Sequence, residues 1–327
     1  MSSSRGLTMS QCDIYDLIIV GGGPGGLSAG IYAMRAALKT VLIEKGLPGG
    51  QINLTESVEN YPGFDQISGF DLSQKFLQHA QSYGLEIRQQ EVAEVEPGLE
   101  FHTVRLVNGD LLNCHAVILA TGGRARTLKI PGESEYYGHG VSYCATCDGF
   151  FFRGKNVVVV GGGDTALEEA VYLAKITQHV YLVHRRDALR GSRILQQRVM
   201  GEPHIEILWN TIVTEVLADD QGVRGVILQN KQTGVASELP VDGVFIFIGF
   251  LPNNQLVPEG IRMDHDGYVM TDEKCETNIS GIYVIGDLRQ KYARQIVTAA
   301  ADGCTAALAA ALGVEIKKSS QTHNQQK

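Results

Sequence analysis

The chain has little of what marks fibrous, secreted or membrane-spanning proteins. It carries a single tryptophan in 327 residues, and aromatics make up only 7%. No apolar run approaches the ~18 residues of a membrane span; the longest candidate, residues 244–251, is interrupted by Gly249. Six cysteines are too few for a disulfide scaffold in a chain of this length, and that usage fits a reducing, cytoplasmic compartment. Residues 1–11 are polar and Ser-rich with no apolar stretch, which argues against a secretory signal. Cationic charge is also in deficit: 28 Lys and Arg against 36 Asp and Glu leave a net charge of −8. Such a chain has no general electrostatic grip on nucleic acid or on an anionic membrane, so any phosphate must be held by a local site. With 44% hydrophobic and 20% charged residues, disordered and coiled-coil classes are excluded.

Glycine, by contrast, is abundant: 38 residues, and clustered. The apolar run at 15–20 leads into glycines 21, 22, 23, 25 and 26, then an Ala-rich helical pattern at 27–38 and a second β-like run at 40–44. That order is one βαβ unit. The same order returns at 156–160, 161–163, 165–175 and 180–183, offset by 140 residues from Gly21 to Gly161. Two copies so far apart are not a solenoid; at about 150 residues per domain, they predict an α/β protein of two Rossmann-like, three-layer nucleotide-binding domains. Further strands are expected at 101–105, 116–120, 205–208, 212–217, 225–229 and 243–248, and an Ala-rich helix at 294–312, with frayed polar tails.

Gly21, Gly23 and Gly26 form G-x-G-x-x-G, with Glu44 following 23 residues after the first. That spacing suits a pyrophosphate at a helix N-terminus and a carboxylate on an unphosphorylated ribose, as in FAD. The second loop reads Gly161, Gly163, Ala166, and its equivalent 23-residue offset falls on His184, beside Arg185, Arg186 and Arg190. Guanidinium groups pair bidentately with a 2′-phosphate that an acid would repel, so this loop suits NADPH. Arg193 and Arg198 read as ordinary surface charges. Cys144-Ala145-Thr146-Cys147 is C-x-x-C, whose spacing allows a short-loop disulfide and lowers one thiol pKa, and Asp148 follows as a proton donor or acceptor. Zinc would need two further ligands at matching spacing, and Cys12, Cys114, Cys275 and Cys304 are isolated, so no metal is expected.

From about residue 15 to 312 the sequence resembles the low-molecular-weight, bacterial-type thioredoxin reductases. CATCDG at 144–149 and HRRD at 184–187 carry the resemblance, together with Gly49-Gly50-Gln51, Glu59-Asn60-Tyr61-Pro62-Gly63, Ala120-Thr121-Gly122, residues 281–287 and Arg294-Gln295. The resemblance implies a discontinuous FAD domain at 1–121 and 253–327, and an inserted NADPH domain at 122–252 carrying the cysteine pair. It implies that FAD is held by Gln51, Asn60, Thr121, Gly122, Gly286, Asp287, Arg294 and Gln295 besides the first loop and Glu44. NADPH would be held by Asp164, Thr165 and the second loop with its basic segment. Catalysis would run from NADPH through FAD to Cys147, with Cys144 attacking thioredoxin and Asp148 as acid/base partner. A homodimer is implied, and a rotation of the inserted domain about hinges at Gly122-Gly123 and Gly249. Phe250 departs from the His that many members carry there. Same-fold reductases of a peroxiredoxin system usually add an N-terminal thioredoxin-like region, for which this chain has no room. Ferredoxin-linked relatives fit poorly with the intact HRRD segment and cysteine pair.

Overall fold

A computed structural model describes residues 14–54, 58, 60–220 and 222–325. The polar N-terminal segment, Cys12 and Glu59 lie outside these. Along the chain run β1 (Tyr15–Val20), α1 (Pro24–Arg35), β2 (Thr40–Glu44), α2 (Gly69–Ser82), β3 (Glu86–Gln89), β4 (Val92–Glu96), β5 (His102–Leu106) and β6 (Leu111–Leu119). Then come β7 (Gly123–Ala125), β8 (Val141–Ser142), α3 (Ala145–Asp148), β9 (Asn156–Gly161), α4 (Asp164–Ala174), β10 (His179–Val183), α5 (Arg193–Gly201) and β11 (Ile205–Leu208). The chain finishes with β12 (Thr211–Asp219), β13 (Gly222–Asn230), β14 (Ala236–Pro240), β15 (Gly243–Phe247), β16 (Phe250–Pro252), β17 (Ile282–Val284) and α6 (Ile296–Gln325).

The contacts divide the chain into two compact units: residues 1–53, 70–123 and 252–327, and residues 54–69 and 124–251. The chain crosses between them four times: at the two ends of segment 54–69 and within β7 and β16.

In the first unit β3-β2-β1-β6-β5-β4 form one sheet, with β17 parallel to β6. β1 lies parallel between β2 and β6, and its alternate side chains enter two buried clusters, so both its faces are covered. That explains why it reads as a continuous apolar run rather than an alternation. Leu17 and Ile19 join α1 and α6 in one buried cluster, whereas Ile18 and Val20 join a second cluster with Leu288 and Val269.

α6 lies on α1 at glycine distance. A Cβ added to Gly303 would sit 2.2 Å from Gly25 O, and Ser28 Oγ donates to Ala300 O at 2.8 Å. The helix is longer than the sequence suggests, because Glu315, Lys317 and Lys318 carry it past residue 312 with no proline to stop it. It also overturns the expectation that nothing approaches a membrane span. Ile296–Ser319 holds an 18-residue window of mean hydropathy 1.5, long and apolar enough by length and composition alone. Asp302, Gly303 and Thr305 break its apolar run, which hid it from a search for continuous runs. Here Ala306, Ala307, Ala310 and Val314 are buried in the core.

The second unit has a five-stranded parallel sheet, β11-β10-β9-β15-β8, and an antiparallel meander β12-β13-β14. Val157 and Val159 face α4 and α5, and Val158 and Val160 face the meander. The meander shares that buried cluster, so it covers the face of the sheet opposite α4.

Candidate redox and dinucleotide-binding site

The two glycine loops solve the same problem. In the first, Gly21 has φ +109°, and a Cβ on it would lie 2.4 Å from Ala120 O. A Cβ on Gly26 would lie 1.9 Å from Gly21 O, so packing alone demands both glycines. Gly23 differs: a Cβ there meets nothing within 4 Å. It is the N-cap of α1, whose first turn has neither a side-chain cap nor an acid. Open space at an uncapped helix N-terminus suits a phosphate, since the first N–H groups and the helix dipole favour an anion there. Glu44 sits beside it at the end of β2. Its Oε2 accepts from Gly22 N–H at 2.6 Å and its Oε1 from Gly46 N–H at 2.8 Å, which leaves lone pairs for ribose hydroxyls.

Around this loop the first unit gathers several of the expected residues. Gln51 Nε2 donates to Gly123 O. Thr121 Oγ1 donates to Asn253 O at 2.7 Å, and Gly122 O accepts from Asn253 N–H at 2.9 Å. Gly286 and Asp287 open a short 3₁₀ turn after β17. Burial pushes the Asp287 carboxyl above its ordinary range, and Lys291 and Arg294 pull it back. Arg294, whose guanidinium lies 4.0 Å over the Tyr268 ring, and Gln295 directly precede α6. Asn60 falls in segment 54–69, which groups with the second unit.

The second loop repeats the pattern with Ala166 in the third place. A Cβ on Gly161 would sit 2.4 Å from the Ala166 methyl, while one on Gly163 meets nothing within 4 Å. Gly163 is the N-cap of α4 and has no side-chain cap. Asp164 Oδ1 accepts from Ser192 N–H and Thr165 is exposed. His184 is 5% exposed, with Nδ1 2.6 Å from Gly161 O and Nε2 2.9 Å from Ala188 O. Its ring is therefore spent on bracing the loop. Arg185, Arg186 and Arg190 are exposed just past β10, and Arg190 N–H donates to Gly162 O at 2.7 Å, tying the basic segment to the glycines.

Cys144 and Cys147 are joined as a disulfide, with Cα atoms 5.3 Å apart, across the first turn of α3. Asp148 ends that turn, and its Oδ2 accepts from Ser142 Oγ at 2.5 Å. Cys144 N–H in turn donates to Ser142 Oγ at 3.0 Å. Behind the pair, Glu133 is 2% exposed and accepts from Leu128 N–H, Lys129 N–H and, at 2.8 Å, Tyr143 Oη. The Tyr143 ring lies 5.3 Å from that of Tyr137, whose hydroxyl is pushed up first by burial and then by the Asp148 charge. The other described cysteines are of a different kind. Burial pushes the Cys114 thiol up to about 12 and that of Cys275 to about 11, so both stay protonated at neutral pH. Among the described residues no group of three or more His, Cys, Asp or Glu could hold a metal ion.

Sequence reasoning did not single out Ser142, Glu133, Tyr143 or Asp302. Asp302, on α6, accepts from Gly286 N–H at 3.0 Å, Arg289 Nη1 at 2.9 Å and Lys291 Nζ at 3.0 Å, and so fixes the turn that carries Asp287. A lone Ser, Glu or Asp in a strand or helix offers no spacing signal, and each becomes visible only through what it bonds.

Two dinucleotide cradles and a cysteine pair in one chain define an enzyme of the pyridine nucleotide-disulphide oxidoreductase class, and residues 15–303 match the family of that description. Sequence relatives narrow the class. The thioredoxin reductase of Bacillus subtilis (strain 168) is 46% identical over 299 residues, covering 91% of this chain and 94% of that one. That of Treponema pallidum (strain Nichols) is 44% identical over 299 residues, covering 91% and 96%. The crystal structure of thioredoxin reductase from Streptococcus pyogenes MGAS5005 superposes with a TM-score of 0.90 at 40% identity, covering 93% of this chain and 99% of that one. The chain belongs to the thioredoxin reductase family.

Proposed function

We propose that the chain is an NADPH-dependent flavoprotein that reduces oxidised thioredoxin, with residues 1–121 and 253–327 taking FAD and residues 122–252 taking NADPH. The observation that carries this reading is the Cys144–Cys147 disulfide with Asp148 hydrogen-bonded beside it, in the same unit as the second glycine loop. The residues present fit the cofactors. Gly23 and Gly163 leave space that packing does not require, each at an uncapped helix N-terminus. Glu44, Gln51, Thr121, Gly122, Asp287, Arg294 and Gln295 would hold FAD, with Asn60 from segment 54–69. Asp164, Thr165 and the exposed Arg185, Arg186 and Arg190 would hold NADPH.

When bound, NADPH supplies a hydride and FAD relays its two electrons to the disulfide. Cys147 is the sulfur that receives them, leaving a dithiol. The Cys144 thiolate then attacks one sulfur of oxidised thioredoxin, forming a mixed disulfide and releasing a thiolate. Cys147 attacks Cys144 in turn, which restores the internal disulfide and frees the thioredoxin dithiol. Asp148 moves the protons these steps require. Because the cysteine pair and the second loop share one unit and the first loop sits on the other, the units are proposed to exchange orientation during turnover. A homodimer completes the reading.

The test is anaerobic flavin bleaching by NADPH and by NADH, followed by oxidised thioredoxin. Bleaching by NADPH with reoxidation by thioredoxin is expected. No bleaching would refute the electron donor, and bleaching without reoxidation would refute the partner.

A further inference from the structure

Ser142 ends β8, which pairs parallel to β15 through Ser142 and Phe245, and it is 2% exposed. A buried hydroxyl has one hydrogen to give and two lone pairs to fill. Around this one stand three groups: the Asp148 carboxylate at 2.5 Å, Cys144 N–H at 3.0 Å and Cys144 O at 3.2 Å. They match its capacity in either protonation state of Asp148. With the carboxylate ionised, the hydroxyl donates to Asp148 Oδ2 and accepts from Cys144 N–H. With Asp148 protonated, Ser142 Oγ accepts from both Asp148 O–H and Cys144 N–H, and its own hydrogen turns to Cys144 O. No buried group is left unpaired in either state, so a proton can come and go at Asp148 without the cost of a lost hydrogen bond.

We infer that Ser142 is a positioning residue that holds the Asp148 carboxyl against the Cys144 peptide in both of its protonation states. The inference rests on the reading of Asp148 as the acid/base partner. Asp148 and Ser142 both line a cleft of about 780 Å³ in the second unit. Tyr137 also lines the cleft, and burial and the Asp148 charge keep its hydroxyl protonated. The cysteine thiols made on reduction stand on Asp148's own short helix. The remaining charged groups around the cleft, Glu135, Lys155, Asp219, Asp220, Arg224 and Asp242, are exposed and screened by water, as is His139. Ser142 is a neutral donor whose removal acts on Asp148 directly.

A hydrogen bond to the ionised form lowers a carboxyl pKa, and its loss raises it. The experiment is the pH profile of thioredoxin-dependent turnover, normalised to flavin content, for the wild type and for S142A, S142T, S142V and D148N. D148N identifies the limb that belongs to Asp148 by abolishing it. In S142A that limb is expected to move up by about one pH unit, the scale of one charge-assisted hydrogen bond. S142T and S142V have the same shape and only the first keeps the hydroxyl, so their difference reads the hydroxyl even if S142A folds poorly. S142T is expected to restore the wild-type limb and S142V to follow S142A. A limb that stays in place in S142A and S142V while D148N abolishes it would overturn the inference and leave the role of Asp148 standing. A limb unchanged in D148N would overturn both.

Discussion

At the scale of single residues, the positions 23 residues after the first glycine of each loop differ in kind. Glu44 is a carboxylate pinned by two backbone N–H groups, while the equivalent position of the second loop, His184, is buried with both nitrogens on carbonyl oxygens. On the proposed reading, selection of a phosphorylated ribose falls to the exposed guanidinium groups of Arg185, Arg186 and Arg190. Replacing Arg185 and Arg186 by Gln is expected to raise the KM for NADPH by about tenfold or more for each guanidinium lost, the scale of one charge-assisted pair. The KM for NADH should change little. Equal losses with both nucleotides, measured by steady-state kinetics, would remove the 2′-phosphate argument.

At the scale of elements, the turns between β1 and α1 and between β9 and α4 hold glycines that packing requires beside glycines that it does not. Gly26→Ala would drive a methyl to 1.9 Å from Gly21 O, so the turn must open. A loss on the order of 3 kcal/mol or more is expected, the scale of severe overpacking. Gly23→Ala and Gly163→Ala place a methyl where nothing lies within 4 Å. Thermal melts of the cofactor-free proteins should lie close to wild type, while the first weakens FAD retention and the second raises the KM for NADPH. A large loss of stability in either would show that the space is not a cradle.

The legibility of the sequence divides along the same line. Both βαβ units were readable because the period changes from strand to helix at a glycine cluster, and the cluster recurs 140 residues on. Their helices start three residues and one residue off because an N-cap glycine has no side chain to announce it: α1 begins at Pro24 rather than Leu27, and α4 at Asp164 rather than Thr165. Ser142 and Glu133 were unreadable for another reason. Their meaning is a hydrogen-bond partner, and a short β8 ending in a buried Ser looks like any loop. Tyr143 beside the cysteine pair and Asp302 on α6 gave no signal for the same reason.

At the scale of the whole molecule, the proposed electron path and the chain path do not coincide. The first glycine loop belongs to one unit, and the second loop with the cysteine pair belongs to the other, joined at both ends of segment 54–69 and by crossings within β7 and β16. Each unit anchors its own side of those crossings: Asn253 N–H donates to Gly122 O in the first, and Arg126 N–H to Gly249 O in the second, both at 2.9 Å. Covalent tethering of the two units in one orientation is expected to stop turnover while sparing either flavin bleaching or disulfide exchange. Normal turnover in the tethered enzyme, measured with NADPH and thioredoxin, would exclude a required change of orientation.

The glycine-close packing of α6 on α1, and the pairing of β17 with β6, also set a timetable for synthesis. The second unit is wholly translated once residue 251 has been made, but the first still lacks β17 and α6. At a ribosomal pace of about 5–20 residues per second, the stretch from there to the end of α6 takes on the order of 4–15 s. During that interval Leu27, Ala29 and Ile31 of α1 have no α6 to lie against. The earliest-made strand and helix are thus the last to be finished, and this nascent chain shows its protective machinery a bare apolar face until its C-terminal helix arrives.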